Sequence, residues 1–198
     1  MRVGVVDGFP VARAGLRGFF GAEARIRMVG EAEDGEGALR LVVEELPDLV
    51  VLGYDLASGP DGVQVCRSIK RLPDPVRVLV LAGQSFAESI LPFFLAGADS
   101  YLPRRSDRAA IVEAVRRTAA GERIWIVPQD IEASSMLEGD PAKARLTSRE
   151  LEVLTLKLRR RTNSEIARSL NISLHTAKHH VTNITRKLDE IPGAGLRT

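Results

Sequence analysis

The residues best suited to chemistry lie near the carboxyl end of the chain. Ala177, Val181, Ile184 and Leu188 recur at spacings of four, three and four, which predicts a helix with one buried face. The opposite face then carries side chains that can hydrogen-bond base edges in a DNA major groove, namely Lys178, His179, Thr182, Asn183 and Arg186. An exposed helix without a ligand would also have a polar face, so this pattern alone leaves both interpretations open.

Neighbouring residues suit contacts to phosphate. His180 and Lys187 flank the polar face on the predicted helix. Thr176, Asn163 and Ser164 lie near predicted helix N-termini, where hydroxyls and backbone N–H groups commonly hold phosphate. These residues are therefore candidate backbone contacts to double-stranded DNA.

The chain predicts neither a metal site nor an enzyme. Its histidines, His175, His179 and His180, have no carboxylate or cysteine at ligand spacing, so no metal or other cofactor is expected. Nor does any nucleophile–base pair emerge from the sequence. The single cysteine, Cys66, excludes an internal disulfide, and its spacing from Val63 and Ile69 predicts ordinary burial and makes a redox switch an unfavoured alternative.

Two capping boxes and a tight turn position the polar face. Thr147 with Glu150, and Thr162 with Glu165, each predict the start of a helix. Residues 171–173 predict a turn before the third helix, with the serine at 173 as its N-cap. Three helices with a tight turn between the last two predict a helix-turn-helix.

Charge is distributed unevenly along the 198 residues, which contain 28 basic and 26 acidic side chains. Residues 1–145 carry a net charge of −3, and residues 146–198 carry +5. A basic segment attached to a mildly acidic body indicates an anionic partner for that segment, most often nucleic acid.

The first 124 residues predict strands and helices in strict alternation. The predicted strands are Val3–Val6, Ile26–Gly30, Leu49–Leu52, Val76–Leu81 and Ser100–Leu102. The predicted helices are Val11–Phe20, Gly37–Leu46, Val63–Leu72, Ala87–Ala96 and Asp107–Ala120. Strands that are apolar nearly throughout predict an α/β fold with a doubly wound, five-stranded parallel sheet, whose functional site lies at the carboxyl ends of the central strands.

We therefore divide the chain into an α/β domain at 1–124, a linker at 125–145 and a small all-α domain at 146–198. The segment Pro128–Ala144 is rich in breakers and predicts a linker with a short helical turn at Ile131–Leu137. No apolar run approaches the ~20 residues of a membrane helix, so a cytoplasmic protein without a membrane partner is expected.

The all-α domain resembles the LuxR-type helix-turn-helix. The matching segments are Leu146–Leu154, Asn163–Ala167, Thr176–Val181 and Arg186–Leu188. The resemblance implies that Lys178, His179 and Thr182 occupy base-contacting positions. That family usually adds a fourth helix for dimerisation, and residues 189–198 predict none, so a homodimer is expected to form through the first domain.

The first domain resembles the receiver domain of NarL/FixJ-type response regulators. The matching segments are Val5–Pro10, Pro47–Leu52, Asp61–Gly62 and Gly97–Leu102. The family needs an acidic pair for Mg²⁺ after the first strand and a phosphoacceptor Asp ending the third. It also needs a Thr or Ser after the fourth strand and a Lys after the fifth.

This sequence departs from that pattern at four of five positions. Asp7 keeps the first acid, but Gly8 replaces the second and Gly53 stands where the phosphoacceptor belongs. Ala82 replaces the hydroxyl residue and Arg104 replaces the lysine. Because these positions act together in one reaction, we expect aspartyl phosphorylation to be lost.

The altered pocket admits several interpretations. Asp55 is a substitute acceptor on the same face of an extended strand, but about 7 Å further along. One hypothesis is that Arg104 pairs with Asp7 or Asp55 and holds the domain in one state. Alternatively, the vacated space takes an anionic small molecule, a partner protein docks there, or the domain is a scaffold that only positions or dimerises its neighbour.

Together these features predict an atypical response regulator that binds promoter DNA in a sequence-specific manner. A ligand, a partner regulator or protein abundance would then set its activity instead of phosphate. The alternative is an interaction protein that heterodimerises with a related regulator and sequesters it.

Overall fold

The computed structural model describes residues 1–83, 90, 92–94, 96–126, 146–159 and 161–189. The chain forms two compact units, residues 1–126 and residues 127–198. The predicted linker Pro128–Ala144, with its helical turn at Ile131–Leu137, lies outside the described residues.

The first unit is built on a sheet of five parallel strands in the order β2-β1-β3-β4-β5. The strands are β1 Arg2–Val6, β2 Arg27–Ala32, β3 Leu49–Gly53, β4 Arg77–Ala82 and β5 Ser100–Pro103. The apolar residues of β1, β3, β4 and β5 are buried except at the strand ends, as a sheet covered by helices on two sides requires, whereas those of edge strand β2 are half-buried. The predicted fold class is confirmed.

Strand register brings the chemically important positions to one edge. Val6 at the end of β1 lies beside Leu52, and Gly53 at the end of β3 lies beside Leu81. Ala82 at the end of β4 lies beside Pro103, the residue before Arg104. The residues that follow β1, β3 and β5 therefore meet at the carboxyl edge of the sheet.

Four helices of the first unit have defined bounds: α1 Pro10–Gly21, α2 Gly35–Glu45, α3 Gly62–Lys70 and α4 Arg108–Ala119. Helix α2 begins two residues before the predicted start, because the Asp34 carboxylate accepts a hydrogen bond from the Gly37 amide at 2.6 Å. Of the predicted helix Ala87–Ala96, residues 90 and 92–94 are helical, and much of the remainder lies outside the described residues.

The segment after α4 returns to the sheet instead of leaving it. The Tyr101 amide donates to the Ile124 carbonyl oxygen at 2.7 Å, and the Ile126 amide donates to the Tyr101 carbonyl oxygen at 3.0 Å. The Trp125 ring stacks on the Tyr101 ring with a centroid distance of 5.4 Å and an interplanar angle of 13°. Residues 125 and 126, which the sequence assigns to the linker, thus lie along β5.

The second unit contains helices α5 Ser148–Leu158, α6 Asn163–Ser169 and α7 Leu174–Asp189. Both predicted capping boxes form, with Thr147 and Glu150 at the start of α5 and Thr162 and Glu165 at the start of α6. The Ser173 hydroxyl accepts from the Thr176 amide at 3.0 Å, as an N-cap does. The small core between the helices includes Val153, Leu154, Ile166, Ala177 and Ile184, all of which are buried.

Among the described helices, none combines the length and the apolar character needed to cross a membrane.

Candidate DNA-reading helix and altered receiver pocket

Helix α7 separates a buried face from an exposed polar face. Ala177 and Ile184 are buried against the other helices. The side chains of Lys178, His179, Thr182 and Arg186 are exposed, whereas Thr176, His180 and Asn183 are half-buried. The residues expected to reach base edges thus lie on the solvent side of the helix or at its border, and their contacts to DNA stay a prediction.

One pair on this face is already hydrogen-bonded. The amide Nδ2 of Asn183 lies 3.0 Å from Nε2 of His179, one helical turn earlier. The neighbouring Thr182 hydroxyl donates to the Lys178 carbonyl oxygen at 3.1 Å, within the helix itself. The polar face therefore includes two side chains that are linked to each other in the absence of DNA.

Lys187 is placed differently from the sequence prediction. Its ammonium group lies 2.7 Å from Oε2 of Glu150, and the Glu150 side chain is only 4% exposed. The same carboxylate accepts from the amide and the hydroxyl of Thr147, at 2.8 and 2.9 Å. Lys187 thus joins α7 to the start of α5, and its contact to phosphate stays a prediction.

The candidate phosphate contacts on α6 stay predictions. Oδ1 of Asn163 is buried and has no hydrogen-bond partner, whereas a contact to phosphate would come from its Nδ2 or from a backbone N–H group. Ser164 is exposed at the start of this seven-residue helix. Among the described residues, no group of three or more His, Cys, Asp or Glu side chains is placed to hold a metal ion.

The altered receiver pocket is centred on a buried ion pair. Asp7 follows β1, and its carboxylate Oδ2 lies 2.6 Å from Nη2 of Arg104, which follows β5. The other carboxylate oxygen accepts from the Phe9 amide at 2.9 Å. The Asp7 side chain is 2% exposed and the Arg104 side chain 27% exposed. Of the two carboxylates expected as partners of Arg104, the pair forms with Asp7.

The ion pair fills the space next to Gly53. A Cβ atom at residue 53 would press against Oδ2 of Asp7 and lie 2.8 Å from its Cγ. It would also lie 3.1 Å from Nη2 of Arg104. Since real Cβ atoms do not approach other atoms so closely, no larger side chain fits at this position without displacing the pair.

Gly8 is constrained by backbone. Its amide donates to the Asp55 carbonyl oxygen at 3.0 Å. A Cβ atom at residue 8 would lie 2.8 Å from that oxygen and 3.0 Å from the Ala57 amide nitrogen. The second acidic residue of a phosphorylated receiver has no space here, because the segment 55–57 lies against the glycine.

These residues do not fit a Mg²⁺ ion. A hard cation prefers several carboxylate and carbonyl oxygens, whereas this edge offers the Asp7 carboxylate, already paired with a guanidinium, and a glycine where the second acid belongs. The exposed Asp55 lies beyond β3, with Oδ2 3.8 Å from the Cβ position of Gly83. Arg104 therefore supplies the positive charge beside Asp7.

Burial raises the pKa of Asp7, and the Phe9 amide, Arg104 and Arg13 offset this only in part. The Arg104 guanidinium also lies 5.0 Å from the centroid of the Phe9 ring. Sequence reasoning did not identify Phe9 as a partner. The available signal was an aromatic residue directly after the Asp7–Gly8 pair.

Cys66 is fully buried in α3, with its Sγ 3.8 Å from the Ala96 carbonyl oxygen. Burial raises the pKa of this thiol to about 12. It therefore stays protonated at neutral pH, which agrees with the expected structural role.

Comparisons with known proteins identify both units. The profile of the response regulator receiver domain matches residues 3–116, and that of the luxR family of bacterial regulatory proteins matches residues 144–189. The transcriptional regulatory protein LiaR of Bacillus subtilis (strain 168) is 36% identical over 194 residues, covering 96% of this chain and 91% of LiaR. The uncharacterized transcriptional regulatory protein YhcZ of the same organism is 35% identical over 196 residues, covering 96% of this chain and 90% of YhcZ.

A solved structure gives the same assignment. The crystal structure of the response regulator ChrA, from a heme-sensing two-component system, is 30% identical with a TM-score of 0.56. The match covers 98% of this chain and 93% of ChrA. The chain therefore belongs to the response regulators that join a receiver domain to a LuxR-type DNA-binding domain, a family of transcriptional regulators.

Proposed function

We propose that this transcriptional regulator binds promoter DNA without being controlled by aspartyl phosphorylation. The observation that carries the proposal is the Asp7–Arg104 ion pair, which lies in the space that a side chain at residue 53 would need. A phosphoryl-transfer site requires an acceptor carboxylate, a bound cation and groups that stabilise the transferred phosphoryl. At this edge Gly53 stands in place of the acceptor carboxylate, and the Arg104 guanidinium stands in place of the bound cation.

We infer that the pair holds the receiver domain in a fixed state. A buried carboxylate paired with one cation is costly to separate, because either partner would be left uncompensated. The backbone of residues 55–57 fills the space beside Gly8, and the pair fills the space beside Gly53. These contacts disfavour a small-molecule ligand in the vacated space. They favour control by protein abundance or by a partner regulator.

We further propose that α7 enters the major groove, with Lys178, His179, Thr182, Asn183 and Arg186 towards base edges. Exposure of most of this face supports the assignment. Thr176, His180 and Ser164 stay candidate phosphate contacts. Asn163 stays a candidate through its Nδ2, and we infer that Lys187 serves α7 as a structural contact because it is paired with Glu150. A homodimer through the receiver domain would place two such helices on paired half-sites in the cytoplasm.

The test is fluorescence anisotropy on duplexes selected from genomic DNA, at two salt concentrations, with and without Mg²⁺ and a small-molecule phosphodonor. We expect salt-dependent binding with the same affinity in the presence and absence of the donor. A response regulator with an intact phosphoacceptor serves as the positive control for the donor. Binding that requires the donor would contradict the proposal and would point to Asp55.

The second candidate function is sequestration of a related regulator by heterodimer formation. It predicts no binding to any selected duplex, although the protein is folded, together with capture of a response regulator. The exposed cationic side chains on α7 favour DNA binding over this alternative, because sequestration has no need of them.

A further inference from the structure

The paired side chains of His179 and Asn183 differ chemically from two independent DNA contacts. The amide nitrogen Nδ2 carries two hydrogens and can only donate, so the 3.0 Å contact is a hydrogen bond in the tautomer of His179 whose Nε2 accepts and whose Nδ1 carries the proton. The two residues are one turn apart on α7, where side chains at this spacing are neighbours.

The contact fixes the orientation of the Asn183 amide. A free asparagine amide can exchange its oxygen and nitrogen by a half-turn, and the two orientations present opposite hydrogen-bonding patterns to a base. With one N–H bound to His179, the amide keeps a carbonyl oxygen and a second N–H. One acceptor beside one donor complements the N6 amino group and the N7 atom that adenine presents in the major groove.

We propose that Asn183 reads an adenine and that His179 is the positioning residue that fixes its amide. This inference rests on the proposed DNA-binding role of α7. It assigns His179 a role different from the direct base contact that the family resemblance implies. Asn183 is half-buried, His179 is exposed, and the 3.0 Å contact joins the two side chains.

The proposal is tested on the full-length protein with a duplex selected from a randomised library. Each adenine in the selected site is replaced in turn by guanine, which has an acceptor O6 in place of the amino group, and by 7-deazaadenine, which lacks the N7 acceptor. Anisotropy titrations of wild type, Asn183→Ala, His179→Leu and the double variant then give the discrimination at each position.

At one adenine we expect wild type to bind about tenfold more tightly than to either replacement, as one bidentate contact allows. Asn183→Ala and His179→Leu should both lose this discrimination, and the double variant should lose no more than either single variant. His179→Gln should restore it, because a glutamine oxygen can accept from Nδ2 at the same place. A purely structural effect on the helix would not be rescued in this way.

The matched control is Thr182→Ala, combined with His179→Leu. The Thr182 hydroxyl donates to the Lys178 carbonyl oxygen and takes no part in the His179–Asn183 contact. The loss of binding free energy in Thr182→Ala should therefore add to the loss in His179→Leu. Far-UV circular dichroism and thermal melting check that each variant is folded.

Three results would overturn the inference. Losses at two different base pairs that add in the double variant would mean that both residues read DNA independently. Unchanged adenine discrimination in His179→Leu would remove its positioning role. Failure of folded wild type to bind any selected duplex would overturn this inference and the proposed function together, whereas the first two results leave the proposed function standing.

Discussion

Buried charge serves different purposes in the receiver pocket and in the DNA-binding unit. At the carboxyl edge of the sheet, the charged groups are paired with each other: Arg104 covers Asp7 and stacks near Phe9. In the second unit, one buried pair, Lys187 with Glu150, fixes α7 from behind, while Lys178 and Arg186 lie exposed on its other side. The first arrangement leaves few unpaired charged groups for a ligand to bind. The second holds α7 in place and leaves its polar face exposed.

This difference bears on how a receiver fold can be kept when, as we propose, its phosphoryl chemistry is lost. Strands β1, β3 and β4 are buried apolar segments, and the glycines at residues 8 and 53 contribute no side chain to their packing. An acceptor carboxylate at residue 53 is therefore not needed for the sheet to form. The space is taken up locally, by one ion pair and one loop.

The largest effect is expected from Gly53→Asp, which restores the acceptor type without making space for it. Overpacking against Asp7, together with a second carboxylate beside a buried one, should lower the free energy of unfolding of the first unit by about 3 kcal/mol. Urea denaturation followed by the fluorescence of Trp125, the single tryptophan, measures this.

Gly15→Asp is the matched control for that variant. A Cβ atom at residue 15 would have no described atom within 4 Å. The urea midpoint of Gly15→Asp should therefore stay close to that of wild type. Equal stability of the two variants would mean that the ion pair moves aside easily and that the space beside residue 53 is open to a larger side chain.

A smaller effect is expected from Lys187→Met, which keeps the length of the side chain and removes its charge. The Glu150 carboxylate would be left buried without its cation, at a cost of about 2 kcal/mol to the second unit. Far-UV circular dichroism during urea denaturation follows the helices of both units, so the loss is assigned to the second unit when the Trp125 transition of the first unit is unchanged. Lys178→Met, on the exposed face of the same helix, should leave stability unchanged.

In DNA binding the order of the two variants should be reversed: Lys178→Met should have the larger effect and Lys187→Met the smaller. Lys178→Met should reduce the preference for the selected site over random DNA by about tenfold, because we propose that this exposed lysine reaches base edges. Lys187→Met, assayed where it is folded, should keep both the preference and the salt dependence. A reduced salt slope in Lys187→Met would instead return this residue to the phosphate contacts predicted from the sequence.

The smallest effect is a difference in pH dependence of about 1 kcal/mol between the two buried carboxylates. Burial acts to raise the pKa of Glu150, but bonds from Lys187 and Thr147 hold it below its usual value. The stability advantage of wild type over Glu150→Gln should therefore be complete at neutral pH and decline as the pH falls through the unfolded and then the folded pKa.

Asp7 should show the opposite sign. Because its folded pKa is raised, ionisation of the buried carboxylate opposes folding, and acidification through that pKa relieves the cost. Relative to Asp7→Asn, wild type should gain stability as the pH falls. Denaturant titrations of the paired variants across this pH range give both signs. Trp125 fluorescence reports the Asp7 pair, and the circular dichroism transition that Trp125 does not follow reports the Glu150 pair.

The sequence predicts much of the fold because its signals are local. Alternating apolar runs and helical spacing predict the parallel sheet. Thr147 and Glu150, which are only three residues apart, predict the start of α5. The return of Trp125 to β5 was missed, since its partners Asp99 and Tyr101 lie more than twenty residues earlier. Asp34 was missed as a helix cap because two glycines follow it closely and weaken the helical pattern.

The candidate sites likewise contain features that the sequence shows locally and contacts that depend on distant residues. Substitutions at residues 8, 53 and 104 are visible by position, so the sequence alone indicates lost phosphorylation. That Arg104 selects Asp7 over Asp55 depends on strand register across 97 residues of sequence. The engagement of Lys187 by Glu150 spans 37 residues. Helical spacing alone placed that lysine at the edge of the DNA-binding face.

We propose above all that this receiver domain does not accept a phosphoryl group. Intact-protein mass spectrometry after incubation with Mg²⁺ and a small-molecule phosphodonor tests it most directly, with a response regulator that keeps its acceptor aspartate as the positive control. We predict that the control gains the mass of one phosphoryl group and that this chain gains none. A phosphoryl adduct on the wild-type chain that disappears in Asp55→Asn would contradict the account.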